Sequence, residues 1–202
     1  MELVPFIKRG GSHRAHELVV AMTGVKMGER FLQIGCAHGG RLGSVAAKVG
    51  LSGQAVAIVP DEASAIRARK GATQAGVLVD VEVAPPTSLS AEDHAFDVAV
   101  VDDTGGLVGT MRPADRVATI RELLRVLRPG GRVVFIGAAP RGGVGALFTR
   151  APSGPPFATS GALHDSLTAG GFRPVRTLAE RDGLVFVEGV KPRETKQAGV
   201  AG

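Results

Sequence analysis

The 202-residue sequence has no tryptophan, no tyrosine, a single cysteine and no apolar run near the ~20 residues that a membrane span needs. Eight phenylalanines are its only aromatic residues, so platforms for stacking nucleic-acid bases are few. The lone Cys36 excludes an internal disulfide framework and a cysteine-built zinc cluster. The net charge of +5 is spread over the chain, and we interpret Arg67 and its basic neighbours as a solvated helix face. We therefore expect a cytoplasmic protein with no membrane span and no nucleic-acid partner.

Short apolar runs and helical periodicities alternate along most of the chain, which is typical of an α/β fold. The first run ends abruptly at glycine, and the last two flank residues 180–183, a hairpin signal. We predict strands at Phe31–Ile34, Gln54–Val59, Val77–Val83, Asp97–Val101, Arg132–Ile136, Phe172–Ala179 and Leu184–Val190, and helices at His13–Thr23, Leu42–Val49, Pro60–Gln74, Asp115–Leu127 and Ser160–Ala169. The pattern predicts a doubly wound, mostly parallel sheet.

The same pattern predicts one domain over residues 1–191, followed by a disordered tail at residues 192–202. Residues 1–29 form an N-terminal helical lead, with an irregular stretch up to Gly11. Residues 137–159 are rich in glycine and proline, too long and too broken for an ordinary connection, and we expect a mobile loop over the strand ends there.

The turn after the first strand is the strongest functional signal. Gly35, Gly39 and Gly40 permit a tight turn and close backbone approach, and a helix follows at once. A helix start presents unpaired N–H groups and partial positive charge. A strand, a glycine turn and a helix in this order indicate a nucleotide-binding geometry.

Three stretches beyond this turn carry a family resemblance. Phe31–Gly39, Phe96–Val101 and Leu124–Gly131, with the closing hairpin, resemble the class I S-adenosylmethionine-dependent methyltransferases, most nearly the ubiquinone/menaquinone biosynthesis methyltransferases. The resemblance implies the strand order 3-2-1-4-5-7-6 with an antiparallel strand 7, and S-adenosylmethionine as cofactor. A dinucleotide-binding dehydrogenase, the alternative fold, would have a sixth parallel strand in place of the hairpin.

The chain departs from the family where three carboxylates usually hold the cofactor. Gln33, Val59 and Pro85 stand at these positions, and Ala37-His38 replaces a glycine and a small polar residue in the turn. Each charged hydrogen bond lost is worth ~1.5–3 kcal/mol. The resemblance then places cofactor contacts at Gln33, Gly35, Cys36, Ala37, His38, Gly39, Val59, Asp61, Thr87, Ser88 and Asp102.

Several of these residues admit two interpretations. Asp61 either reaches the ribose or only caps its helix, with Thr87 or Ser88 serving the adenine; His38 is either a ligand contact or an exposed turn residue. We interpret Cys36 as a small buried filler. Asp102, Asp103 and His38 are the candidates for a general base, and no catalytic residue is assigned.

Two functions remain open at this point. The first is a methyltransferase acting on a small molecule with a divergent cofactor pocket. The second is a methyltransferase-like protein that no longer binds the cofactor and serves a protein partner as a binding or assembly subunit. No metal is expected, because the later Asp-Asn pair of a related metal-dependent group is missing.

Overall fold

A computed structural model describes residues 9–139, 157–159 and 161–193, with side chains from residue 16 onward. The described helices are α1 (Arg9–Thr23), α2 (Gly39–Val49), α3 (Glu62–Ala75), α4 (Pro113–Val126) and α5 (Ala162–Ala169). The described strands are β1 (Arg30–Ile34), β2 (Gln54–Val59), β3 (Asp80–Val83), β4 (Phe96–Asp102), β5 (Leu127–Ala138), β6 (Val175–Arg181) and β7 (Leu184–Val190).

The seven strands form one sheet in the order β3-β2-β1-β4-β5-β7-β6. β1 pairs in parallel with β2 and β4, and the parallel pairing continues outward to β3 and β5. β7 runs antiparallel to both β5 and β6. The predicted strand order and the antiparallel strand 7 are confirmed.

Apolar side chains on the two faces of the sheet build two cores, because successive residues of a strand point to opposite faces. Leu32 and Ile34 of β1 face α4 and α5, whereas Phe31 faces α1, α2 and α3. The central strand β4 is almost continuously buried, and β5 is buried from Val133 to Gly137. Helices therefore cover both faces of a largely parallel sheet, as the doubly wound prediction requires.

The hairpin between β6 and β7 is closed by Asp182 and Gly183, whose φ angles are 54° and 74°. Two consecutive positive φ angles are the geometry of a type I′ turn, for which Asp-Gly is a preferred pair. The local sequence therefore determines where the chain reverses.

Several predicted boundaries are wrong. α1 already begins at Arg9, so the irregular stretch does not reach Gly11, and β3 begins at Asp80 rather than Val77. β5 begins at Leu127 and extends to Ala138. Residues 128–131 were predicted only to separate α4 from the fifth strand. In the structure they belong to β5, because the chain around them pairs with β4 and β7. The pairing with β4 has a register irregularity between Phe96 and Val98.

The later boundaries shift as well. β6 begins at Val175, because Phe172 is buried against Gly189 before the strand starts. α5 begins at Ala162 rather than Ser160. Residues 140–156 of the predicted mobile loop, and 194–202 of the predicted tail, lie outside the described residues.

α2 and α3 pack with their backbones in direct contact. A Cβ on Gly39 would clash with the carbonyl oxygen of Arg67, and one on Gly71 would clash with the backbone of Gly39. A Cβ on Gly43 would lie 2.5 Å from the carbonyl oxygen of Gly71. Gly39 therefore serves helix packing, and the cofactor contact predicted for it stays a prediction.

Candidate functional site

The carboxyl ends of β1, β2 and β4 meet at one edge of the sheet, where the chain order reverses between β1 and β4. Ligands of open α/β sheets bind at such switch points. A cavity of about 250 Å³ opens here. Its wall is formed by Gly35, Cys36, Ala37, Pro60, Asp61, Ser64, Arg67, Asp102, Gly105 and Leu107. Five of the eleven predicted contact residues are in this wall.

Gly35 starts the turn after β1 with a φ of +76°, a conformation that side-chain-bearing residues rarely adopt. Its N–H donates to the carbonyl of Ile58 at 2.8 Å, which ties the turn to β2. A Cβ on Gly35 would lie 2.8 Å from Cδ2 of Leu107 and 3.1 Å from the carbonyl oxygen of Asp102. Both the backbone conformation and the space above it therefore require glycine.

Asp102 ends β4 and holds the glycine turn from one side. Its Oδ2 accepts the N–H of Ala37 at 3.1 Å, and its Oδ1 accepts the Thr104 hydroxyl at 2.6 Å. The Arg41 guanidinium lies 3.6 Å from Oδ1 and donates to the Thr104 hydroxyl at 3.0 Å. Burial lowers the pKa of Arg41, and the nearby Asp102 raises it. Asp102 and Arg41 therefore form a buried ion pair next to the glycine turn.

Asp61, Ser64 and Arg67 hold the turn from the other side. Asp61 caps α3, because its Oδ1 accepts the N–H of Ser64 at 2.7 Å, and this hydrogen bond lowers the pKa of Asp61. Arg67 donates to the Ser64 hydroxyl at 2.7 Å and to the carbonyl of Cys36 at 3.0 Å. The capping interpretation of Asp61 agrees with these contacts, while its carboxylate also faces the cavity wall.

Arg67 is one of five cavity residues that the sequence interpretation missed, the others being Pro60, Ser64, Gly105 and Leu107. Arg67 was assigned to a solvated helix face, but its guanidinium reaches from α3 to the backbone of the glycine turn. The available signal was helical spacing: Arg67 lies three residues after Ser64, so both side chains project from one face of α3. Leu107 was missed as well, since nothing in its local sequence marks a cavity residue.

Cys36 is 3% exposed, and burial, together with the charge of Asp102, raises its pKa to about 11. Such a thiol is protonated at neutral pH and is therefore a poor nucleophile. Its position agrees with a small buried residue in the cavity wall.

The remaining predicted contact residues lie outside the cavity wall. Gln33 is buried and its Nε2 donates to the Gly35 carbonyl at 2.9 Å, so its amide supports the turn. His38 is exposed, and its ring nitrogen Nδ1 lies 2.6 Å from the Ala37 carbonyl. Val59 is buried in β2, and Thr87 and Ser88 follow β3 away from this wall.

Asp103 has a structural role of its own. Its Oδ1 accepts the N–H groups of Val108 at 2.7 Å and Gly109 at 3.2 Å, so the carboxylate organises the loop after β4. Burial raises the pKa of Asp103, and these two N–H donors oppose the rise. Of the three proposed general bases, Asp102 and Asp103 are thus engaged in backbone hydrogen bonds.

The described part of the chain contains neither a candidate metal centre nor a candidate membrane-spanning helix. Within residues 9–139, 157–159 and 161–193, no group of three or more His, Cys, Asp or Glu side chains is placed to hold a metal ion. No helix within these same ranges has the length and apolar character to cross a bilayer.

The sheet order and the cavity at the switch point define a methyltransferase-type Rossmann-like fold. The sequence model of the family described as "Methyltransferase domain" matches residues 31–131, half of the chain. The chain therefore belongs to the methyltransferase domain family, which confirms the predicted resemblance.

Known proteins agree with this assignment. The chain is 35% identical over 108 residues to an uncharacterised 37.1 kDa transposon protein of Streptomyces fradiae, covering 54% of this chain and 30% of that protein. It is 30% identical over 142 residues to the ubiquinone/menaquinone biosynthesis C-methyltransferase of Pseudomonas putida, covering 67% and 52%. The chain thus spans about half the length of that methyltransferase and 30% of the length of the transposon protein.

The crystal structure of a SAM-dependent methyltransferase from Aquifex aeolicus superimposes with a TM-score of 0.67. The match covers 87% of this chain and 88% of that one at 20% identity. At this level of identity the likeness concerns the fold.

Proposed function

We propose that the protein is an S-adenosylmethionine-dependent methyltransferase that acts on a small molecule. The observation that carries this proposal is the cavity at the switch point, where the glycine turn meets carboxylates from β4 and from the start of α3. Family membership supports the reaction class. The likeness to the ubiquinone/menaquinone biosynthesis C-methyltransferase supports a small molecule as the methyl acceptor.

The residues around the cavity fit such a cofactor although the usual acidic positions are changed. Gly35 lines the cavity without a side chain of its own, and the start of α2 supplies N–H groups suited to a carboxylate. Asp61 is ionised and exposed, and a carboxylate has more acceptor sites than Ser64 uses. We assign Asp61 to the ribose hydroxyls in place of Val59.

The charges at the cavity also fit a cofactor with both positive and negative groups. Asp61 and Asp102 contribute carboxylates to the wall, and Arg67 is drawn toward the Cys36 carbonyl and Ser64. When bound, S-adenosylmethionine supplies a methyl group on a positively charged sulfur, ready for in-line displacement. The task of the chain is to orient the reactants and exclude water. Pro60, Cys36 and Leu107 supply the apolar part of the wall.

Calorimetry with S-adenosylmethionine and S-adenosylhomocysteine tests the proposal, and Asp61 allows its two roles to be separated. Asp61→Asn keeps a good helix cap, whereas Asp61→Ala removes it at a cost of about 1 kcal/mol in stability. Both variants lose the charged acceptor, so we expect both to weaken binding by ~1.5–3 kcal/mol.

Asp165→Ala is the matched control, because Asp165 is an exposed acid in the first turn of α5. It should leave binding unchanged. Normal folding without any heat of binding at millimolar cofactor would overturn the proposed function. Weakening by Asp61→Ala alone would mean that the cap, and not the charge, matters.

A further inference from the structure

One apolar side chain enters the cavity from the loop that follows β4. Cδ2 of Leu107 lies 2.8 Å from the point where a Cβ on Gly35 would stand, and its Cγ lies 4.0 Å from that point. Leu107 therefore covers the open face of Gly35, the place where the turn offers its backbone to a ligand.

The loop that carries Leu107 is fixed by hydrogen bonds on both sides of this residue. The Asp103 carbonyl accepts the N–H of Gly106 at 2.8 Å, before Leu107. The Asp103 carboxylate accepts the N–H groups of Val108 and Gly109, immediately after it. One buried residue thus determines the backbone path on both flanks of Leu107.

Arg116 of α4 secures the same loop from outside. Its guanidinium donates to the carbonyls of Gly109 at 3.1 Å and Met111 at 3.2 Å, and more weakly to that of Val108 at 3.4 Å. It also stacks over the ring of Phe157, 4.2 Å from the centroid. The position of Leu107 is therefore held by the surrounding structure.

The position of Leu107 matters because the cavity is small. Its volume of about 250 Å³ lies below the roughly 300–1,000 Å³ typical of small-molecule sites. Leu107 lines this cavity and is an apolar residue of the loop that follows β4. We propose that Leu107 closes the cavity over Gly35 and thereby lowers its affinity for the adenosyl cofactor. The effect of Leu107 on affinity rests on the proposed function.

Cys36 provides a reporter of closure that needs no cofactor. It is the only cysteine of the chain, it is buried, and it lines the same cavity. Alkylation by iodoacetamide at pH 8.5 measures its accessibility. Leu107→Ala should open the cavity, so we expect the labelling rate to rise at least about tenfold over the unsubstituted protein, as local opening controls access to a buried group.

Two further Leu→Ala variants serve as controls. Leu78 is 88% exposed, so Leu78→Ala should label like the unsubstituted protein. Leu124 is half-buried on α4, so Leu124→Ala reports the effect of lower stability alone. An unchanged rate in Leu107→Ala, or an equal rise in Leu124→Ala at matched stability, would overturn the closure by Leu107.

Binding of S-adenosylhomocysteine, measured by calorimetry on the same variants, tests the affinity. We expect Leu107→Ala to bind about tenfold more tightly, which corresponds to 1.4 kcal/mol. Faster labelling with unchanged or weaker binding would overturn the effect on affinity. Faster labelling with no binding by either protein would overturn the proposed function and the affinity claim, while the closure of the cavity would stand.

Discussion

The elements on the two faces of the sheet are held in place by different kinds of contact. On the side of α2 and α3, glycines bring the two helix backbones together, and a side chain would force them apart. On the side of β4 and α4, arginines and a buried aspartate gather the backbone groups of long loops. Backbone packing is thus the main contact between α2 and α3, whereas charged hydrogen bonds hold the loops beside β4.

This difference follows from what each side must position. The glycine turn and the start of α3 follow directly after β1 and β2, and close helix packing places them together with the hydrogen bonds from Arg67 and to Asp102. The segments before and after β4 are longer, and their exposed backbone groups need partners. Arg125 illustrates this, because it donates to the carbonyls of Leu89 and Ala91 and to the carboxylates of Asp93 and Glu122.

The largest effect is expected from Gly71→Ala. In a helix interior this change normally stabilises a protein by roughly 0.5–1 kcal/mol. Here the new Cβ would clash with the backbone of Gly39, which cannot rotate away. We expect a loss of about 3 kcal/mol or more, measured by urea unfolding.

Gly105→Ala is the control for this prediction. Gly105 lines the cavity, and a Cβ there would meet only the Ala37 side chain at 3.8 Å, an ordinary contact. Its stability should change by less than about 0.5 kcal/mol. If Gly71→Ala were as mild, the packing contrast between the two sides would be wrong.

A smaller effect is expected from Arg116→Ala on the opposite side. The change leaves three carbonyls of the loop without their charged donor, and charge-assisted bonds are worth ~1.5–3 kcal/mol. Because the side chain is partly exposed, we expect a total loss in the lower half of that range, together with faster labelling of Cys36. Arg121→Ala, an exposed arginine on the same helix, should do neither.

The smallest effect concerns the pH dependence of the Arg125 cluster. The hydrogen bond from Arg125 holds the pKa of Glu122 below its usual range. A carboxylate whose pKa is lower in the folded state contributes stability above its unfolded pKa of about 4.3, and this is lost as the pH falls through the folded pKa.

Comparison with Glu122→Gln isolates this contribution, since Asp61 and Asp97 also have lowered pKa values. The unfolding free energies of the two proteins should differ at pH 7 and converge at acid pH, below the folded pKa of Glu122, with a difference under about 1 kcal/mol for such a partly exposed pair. A difference that stays constant over this range would show that the charge of Glu122 is not involved.

Local sequence was sufficient to predict the features that depend on neighbouring residues. The apolar runs placed all seven strands, Asp182-Gly183 placed the hairpin, and Asp61 is the cap that its position before α3 indicated. The glycine turn was also recognisable, because a positive φ at Gly35 is a local requirement. Apolar periodicity, turn chemistry and capping all act within a few residues.

Contacts between distant residues required the tertiary structure. Arg67 reaches Cys36 across 31 positions, Asp102 reaches Ala37 across 65, and Leu107 covers Gly35. The same holds for the start of β5, which pairing with β4 and β7 determines. An arginine on a helix has the same local pattern whether it faces water or a cavity. Only the packing of α3 against the glycine turn decided between them.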